Sequence, residues 1–175
     1  MKNLEQIEGL VRPSLAYKDS FLEAVKEGVS ESFYKELDIL DVQQNFAKYV
    51  KYLSDKAEGI NLREGYVPAS TFWFIKNGKF IGRIDIRHKL NEKLLKEGGH
   101  IGYGIRPSER SKGYGNKILK LGLEEAKKIG IKKALITCDD DNEPSIRIIE
   151  NNGGVLENKI KIEGKLKRRY WIEIK

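Results

Sequence analysis

Between a strand-like apolar run and the amphipathic segment that begins at Asn116 lies the stretch Arg106-Pro107-Ser108-Glu109-Arg110-Ser111-Lys112-Gly113-Tyr114-Gly115. Gly113 and Gly115 lack a Cβ and tolerate positive φ, so their backbone N–H groups can approach an anionic oxygen where a larger residue would clash. The helix expected next presents unsatisfied N–H groups and the positive end of its dipole. Arg110 and Lys112 add full charges at the rim, and Ser111, Tyr114 and Asn116 belong to the same loop and helix start. This chemistry is anion binding, and the ligand it implies is a polyphosphate. A Walker loop needs four residues between its glycines and then Lys-Ser or Lys-Thr, and a dinucleotide fingerprint needs Gly-x-Gly-x-x-Gly. Neither spacing is present.

The spacing that is present, Arg110-x-x-Gly113-x-Gly115, resembles the Arg/Gln-x-x-Gly-x-Gly/Ala signature of the GNAT N-acetyltransferase superfamily. The flanking sequence extends the likeness over about residues 71 to 155. Ile101-Gly102-Tyr103-Gly104-Ile105-Arg106-Pro107 is similar to that family's fourth strand, and Ala134-Leu135-Ile136-Thr137-Cys138 to its fifth. Asn142-Glu143-Pro144-Ser145, continuing to Gly153-Gly154, resembles its Asn-x-x-Ser/Ala helix.

The resemblance implies direct transfer of an acyl group from a thioester to an amine. It puts the pyrophosphate of coenzyme A on the 110–115 loop and the pantetheine and thioester along the backbone of Tyr103, Gly104 and Ile105, where the fourth strand splays from the fifth. Asn142 and Ser145 match positions near the coenzyme, although Asn and Ser are also the usual N-cap choices. The implied cosubstrate is acetyl-CoA, with no metal, and the acceptor is an amine on a small molecule or a protein. An ammonium has no lone pair, so a base working near pH 7 would help. His100 stands where some members carry a carboxylate base, and its ordinary pKa near 6.5 suits the task. Asp85 is the second candidate; His88 and Glu97 are rivals. The tyrosine that often protonates the departing thiolate would fall at position 149, which is Ile149. Tyr170 or Ser145 is left to donate, or the coenzyme departs as a stabilised thiolate.

Elements that must position these groups follow from periodicity. Leu10-Val11-Arg12-Pro13 reads as a first edge strand ended by proline. Phe21, Leu22 and Val25 recur at helical spacing up to Gly28, and a second helix is expected from Asp41, as its cap, to Gly59. In the superfamily two such helices lie over the acceptor end of the cleft, which puts Glu31, Glu36, Asp38 and Asp41 near that region. Asn77-Gly78 joins two strand runs, 71–76 and 79–88, as a type I′ hairpin. In the second run Ile84 and Ile86 alternate with Arg83, Asp85 and Arg87, and solvent is the plain expectation for the charged face. A short helix over 90–97, a strand from His100, a helix from Asn116 to Gly130 and a hairpin turning at Glu163-Gly164 complete the pattern. The fold class is α+β (mixed α/β): one domain, 1–175, with a mainly antiparallel central sheet, helices on both faces and a C-terminal β-hairpin. Within it, residues 1–65 form a helical acceptor-side region, 71–155 the acetyl-CoA-binding core and 155–175 the hairpin.

With 175 residues, 39% hydrophobic and 34% charged, the chain is long enough to bury a sizeable core. No apolar run reaches the ~18 residues of a spanning helix, and Met1-Lys2-Asn3-Leu4-Glu5 turns acidic where a signal peptide turns apolar, so a cytoplasmic protein is expected. One cysteine, Cys138, and two histidines give no basis for a disulfide or a metal cluster. The net charge of +7 is uneven: residues 1–60 hold 8 Lys+Arg against 11 Asp+Glu, and 61–175 hold 25 against 15. A basic C-terminal part suits coenzyme phosphates, and an acidic N-terminal part would attract a cationic amine. A different class, a basic nucleic-acid-binding module, is suggested by pI 9.3 and by Lys159, Lys161, Lys165, Lys167, Arg168 and Arg169 beside Tyr170 and Trp171. No nucleic-acid motif accompanies them, and a third reading is a degenerate acyltransferase fold that binds acyl-CoA without turning it over. The pattern leaves a homodimer open.

Overall fold

The computed structural model describes residues 7–29 and 39–175. Glu31, Glu36 and Asp38 lie outside the described residues. Strand β1 (Glu8–Val11) is followed by helices α1 (Lys18–Lys26), α2 (Ile39–Gln44) and α3 (Phe46–Glu58). Then come the hairpin β2 (Ala69–Lys76) and β3 (Lys79–Arg87), α4 (Glu92–Lys96), β4 (Ile101–Ile105) and α5 (Tyr114–Lys128). The chain closes with β5 (Lys133–Asp139), α6 (Glu143–Asn151), β6 (Val155–Ile162) and β7 (Lys165–Glu173).

The expected α+β architecture is present, and its sheet is parted in two. One sheet has the order β1-β2-β3-β4 and the other β5-β7-β6, with every pairing antiparallel. β1 is the expected edge strand. Asn77 (φ 49) and Gly78 (φ 73) make the tight β2–β3 turn, and Glu163 (φ 48) and Gly164 (φ 83) repeat the device between β6 and β7. The single helix expected over 41–59 is instead two, broken at Asn45 (φ −116, ψ 45). Asp41 therefore lies inside α2, where it accepts a hydrogen bond from Asn45 Nδ2 (2.7 Å), and is not a cap.

Two apolar layers sandwich the first sheet. On one face Phe21, Phe46, Tyr49, Leu53, Trp73 and Phe80 bury under α1 and α3, with Phe21 stacked on Trp73 at 4.7 Å. Burying each such side chain contributes roughly 1.5–3 kcal/mol. On the other face Ile84, Ile86, Ile101, Ile118 and Leu119 form the layer beneath α5, which continues to Ile149 and Tyr170. Gly122 lets α5 approach β3: a Cβ there would stand 2.1 Å from Ile84 Cδ1. Among the described residues no helix is long and apolar enough to cross a membrane.

The charged face of β3 does not meet solvent as expected. Arg83 and Asp85 are 4% and 3% exposed, because α3 covers that face. The cost of burying them is offset by a forked pair, Arg83 Nε donating to Asp85 Oδ2 (2.8 Å) and Nη2 to Oδ1 (3.0 Å), with Nη1 on Tyr49 Oη (3.0 Å).

Candidate active site

Past the end of β4 the chain makes a short turn at Pro107–Glu109 and enters α5 through Gly113 (φ 81, ψ −3). Glycine takes this left-handed conformation at little cost, and nothing lies within 4 Å of where its Cβ would stand. A 15-residue helix, whose first N–H groups have no partner within it, follows this open glycine. Gly115 behaves differently from the expectation of a second close approach. It sits inside α5 at negative φ, and a Cβ would stand 2.4 Å from Ile148 Cδ1, so its smallness serves the packing of α5 on α6.

The charges near this loop are already organised. Arg106, 5% exposed, reaches back to α1, where Nε donates to Glu27 Oε1 (2.7 Å) and Nη2 to Glu23 Oε2 (3.2 Å). Those hydrogen bonds hold the Glu27 carboxyl down at about 2. Arg110 folds onto the end of β4, its Nε on Ile105 O (3.2 Å), and Lys112 lies 3.0 Å from Glu109. Tyr114 packs its ring on Phe74 (5.7 Å), so its backbone rather than its side chain faces the loop. Asn116 joins Gly113 in an open cavity of about 410 Å3 that also takes in Lys117, Lys120, Asn151 and Asn152. Sequence reasoning missed these last four; the i, i+3 spacing of Lys117 and Lys120 behind the loop was the available signal.

β4 and β5 belong to different sheets and are tied at one end. His100 N–H donates to Leu135 O (2.7 Å), and Leu135 N–H donates to His100 Nδ1 (3.0 Å). Gly99 is required there, since a Cβ would stand 2.3 Å from Leu135 O. In the gap beyond, the Tyr103 hydroxyl is buried and approaches Ser145 without closing a hydrogen bond. Burial pushes its pKa up to about 12, and pushes the neighbouring Cys138 thiol up to about 11. Ser145 is held by Asn142, whose Oδ1 accepts from Ser145 N–H (3.1 Å) as the cap of α6. Ile149 is fully buried in the core, and the Tyr170 hydroxyl donates to Glu150 (3.0 Å), so Tyr170 is committed elsewhere.

A cavity of about 840 Å3 lies on the other side of β3, under α2 and α3. Asp85, Arg83, Arg87 and Glu97 line it and His100 does not. Opposite Arg83 and Asp85 in register are Gly104 and Gly102, so β4 presents no side chain on this face. Neither candidate base is well placed. Burial raises the Asp85 pKa, but Arg83 and Lys56 outweigh it and the net direction is down, helped by the hydroxyl of Thr71. His100 has its acceptor nitrogen on Leu135, and a neutral imidazole has one acceptor only. His88 contacts Ser70 (2.9 Å), and Glu97 pairs with Lys167 (3.1 Å).

This geometry predicts a structural phenotype for His100. Burial and then Arg87 lower its pKa, so the folded state favours neutral imidazole. Its contribution to stability is complete above pH 6.5 and is lost as pH falls through the lower folded value. His100→Ala should leave the buried Leu135 N–H unpaired at a cost of about 1–3 kcal/mol, lowering Tm by roughly 2–12 °C. Melting curves from pH 8 to 5 and pH–rate profiles of both proteins test this. A lost limb in the rate profile with unchanged Tm would restore the base role.

Four of the six basic residues singled out on the hairpin, all but Lys161 and Lys165, are paired with carboxylates. Lys159 and Arg168 pair with Asp140 (2.7 and 2.6 Å), Lys167 with Asp139, and Arg169 with Glu157 (2.6 Å). Tyr170 is fully buried. Among the described residues no three His, Cys, Asp or Glu side chains gather as metal ligands.

Residues 16–155 match the family model described as the acetyltransferase (GNAT) domain. No curated protein matches the sequence. Among solved structures the fold is similar to Mycobacterium smegmatis RimJ in complex with CoA-disulfide (14% identity, TM-score 0.70, 97% of this chain and 83% of that one). It is also similar to the microcin C7 self-immunity acetyltransferase MccE in complex with acetyl-CoA and AMP (18%, TM-score 0.67, 94% and 91%). A third is the Salmonella typhimurium acetyltransferase that modifies the N-terminal serine of ribosomal protein L7/L12 (18%, TM-score 0.64, 95% and 94%).

Proposed function

Because the chain belongs to the GNAT acetyltransferase family, we propose that it moves the acetyl group of acetyl-CoA directly onto a primary amine. The observation that carries this reading is the open, left-handed Gly113 at the mouth of α5, beside a gap between β4 and β5. The residues present fit the coenzyme: Gly113 opens at the N-terminus of α5 with nothing within 4 Å of where a Cβ would stand, and the buried Tyr103 hydroxyl approaches Ser145 without closing a hydrogen bond. Acetyl-CoA supplies the acetyl group as a thioester. Backbone N–H groups from Gly113 to Asn116 would hold the pyrophosphate oxygens, Asn142 keeps Ser145 in place, and the backbone from Tyr103 to Ile105 would line the pantetheine arm.

Deprotonation of the acceptor needs no dedicated base. The acceptor ammonium gives its proton to water, which leaves the free amine with its lone pair. Its lone pair forms the C–N bond as the C–S bond breaks; the acylated nitrogen then releases its surplus proton to water, and a proton from solvent completes the thiol. Tyr103 aids the departing thiolate by a hydrogen bond rather than by giving up its proton. Transfer from a group at about 12 to a thiolate whose acid has a pKa near 8.5 is uphill by about 5 kcal/mol. Calorimetric titration with acetyl-CoA, followed by thiol release across a panel of primary amines, tests the proposal. A folded chain that binds no acetyl-CoA overturns it.

A further inference from the structure

Glu27 is a carboxylate at the wrong end of a helix. It caps the C-terminus of α1, where the helix dipole disfavours negative charge. A residue that breaks a local rule in this way answers to a partner elsewhere in the fold. The partner is the loop that leads into α5, 79 to 81 residues further along the chain. Glu27 Oε1 accepts from Arg106 Nε (2.7 Å) and lies 2.6 Å from Nη2, while Oε2 accepts from the backbone N–H of Ser108 (3.2 Å). One carboxylate therefore fastens a side chain and the main chain of the same turn.

Both ends of this clasp are fixed. On the helix side Phe21 and Ala24 are fully buried in the apolar layer, and Ser20 Oγ accepts from Phe80 N–H at the start of β3 (2.9 Å). On the loop side Arg106 is buried, and its N–H donates to Ile81 O (2.8 Å). Beyond the turn the chain follows an uncommon path, with Ser111 (φ 60) and Gly113 (φ 81) both left-handed. A serine keeps that conformation only where its surroundings over-determine it. The clasp constrains the loop at its N-terminal side, and α5 does so at the other.

We propose that Glu27 is a positioning residue for acetyl-CoA, holding the turn at Arg106 and Ser108 so that the left-handed Gly113 and the start of α5 are in place before the pyrophosphate arrives. It acts through those two residues and not by contact with the coenzyme. A loop ordered in advance loses no further conformational entropy on binding, and the affinity rises accordingly. The inference rests on the acyl-transfer reading.

The test compares the full chain with its Glu27→Ala, Glu27→Gln and Glu23→Ala variants, well below the Tm of each. Calorimetry reads the affinity for acetyl-CoA, and amide hydrogen exchange over residues 106–113, without coenzyme, reads the order of the loop. Glu27→Ala should weaken binding by about 10- to 100-fold, the equivalent of one or two residues ordered on binding, and should speed exchange across the loop. Glu27→Gln keeps one acceptor oxygen and should fall between wild type and Glu27→Ala; it carries the test alone if Glu27→Ala does not fold. Glu23, 65% exposed, meets Arg106 at 3.2 Å, and without it Glu27 still holds Ser108, so Glu23→Ala should weaken binding by less than about threefold. Affinity and exchange must change together; either alone overturns the inference, and so does an equal loss in Glu23→Ala. A lower Tm with unchanged affinity makes the clasp a stability device and overturns it too. Wild type that binds no acetyl-CoA overturns the acyl-transfer reading and this inference together, whereas wild type and Glu27 variants that bind equally well overturn this inference alone.

Discussion

Replacing Gly113 by valine should abolish acetyl-CoA binding in a chain that still folds. The two halves of that expectation come from two measurements at one residue. The space beside Gly113 is empty, so the added methyls meet nothing in the protein, and the fold bears only the cost of a β-branched residue at φ 81. Left-handed backbone costs roughly 1–2 kcal/mol for an ordinary residue, which a chain of this size tolerates. On the proposed reading, the same methyls would occupy volume that the pyrophosphate needs at the N-terminus of α5. Losing several charge-assisted hydrogen bonds, at about 1.5–3 kcal/mol each, weakens binding by on the order of 10²-fold or more. Calorimetry with acetyl-CoA reads the first half and far-UV circular dichroism the second. Unchanged affinity in the folded variant would remove the loop from the site.

Tyr103→Phe should lower kcat on the order of 10²-fold with little change in acetyl-CoA affinity. The substitution removes one buried hydroxyl that approaches Ser145 without closing a hydrogen bond, so it leaves no orphaned group and disturbs no packing. On the proposed reaction, what it removes is a donor fixed in a buried position where charge would develop as the thiolate leaves. Single donors of that kind are worth about 10²–10³ in kcat. Its pKa of about 12 keeps the donor protonated through any assay near neutrality, so the loss should be the same at pH 6 and pH 9. The comparison is kcat of the two proteins across that range with one acceptor. A loss below about threefold would mean that Tyr103 contributes packing alone, and Ser145 would inherit the role.

How far the sequence could lead differs between backbone and side chains. Strand and turn signals were strong because they are local. Asn77-Gly78 and Glu163-Gly164 each fix a two-residue turn, and alternation around Ile84 fixes which residues share a face. What alternation cannot say is what covers the polar face. Arg83, Asp85 and Arg87 read as a solvated edge until α3 is laid across them, and that packing depends on Tyr49, more than thirty residues away along the chain. His100 shows the same limit in a smaller compass. Its position before β4 matched a base, but the partner that takes up its lone pair, Leu135, belongs to another strand. Tyr103 was read for its backbone because nothing in its neighbours reveals that its hydroxyl is sealed in the gap beside Ser145.

Gly115 bears on how this loop can change over generations. Its missing side chain and the Cδ1 of Ile148 share one volume, so a methyl gained at 115 has to be given up at 148. Alanine at the first position is compatible with valine or a smaller residue at the second. With isoleucine retained, either its Cδ1 rotates away or α6 shifts from α5 and carries the Asn142 cap and Ser145 with it. Positions 115 and 148 should therefore vary as a pair among relatives, while Gly113, which answers to backbone conformation and to no neighbour, should vary alone or not at all.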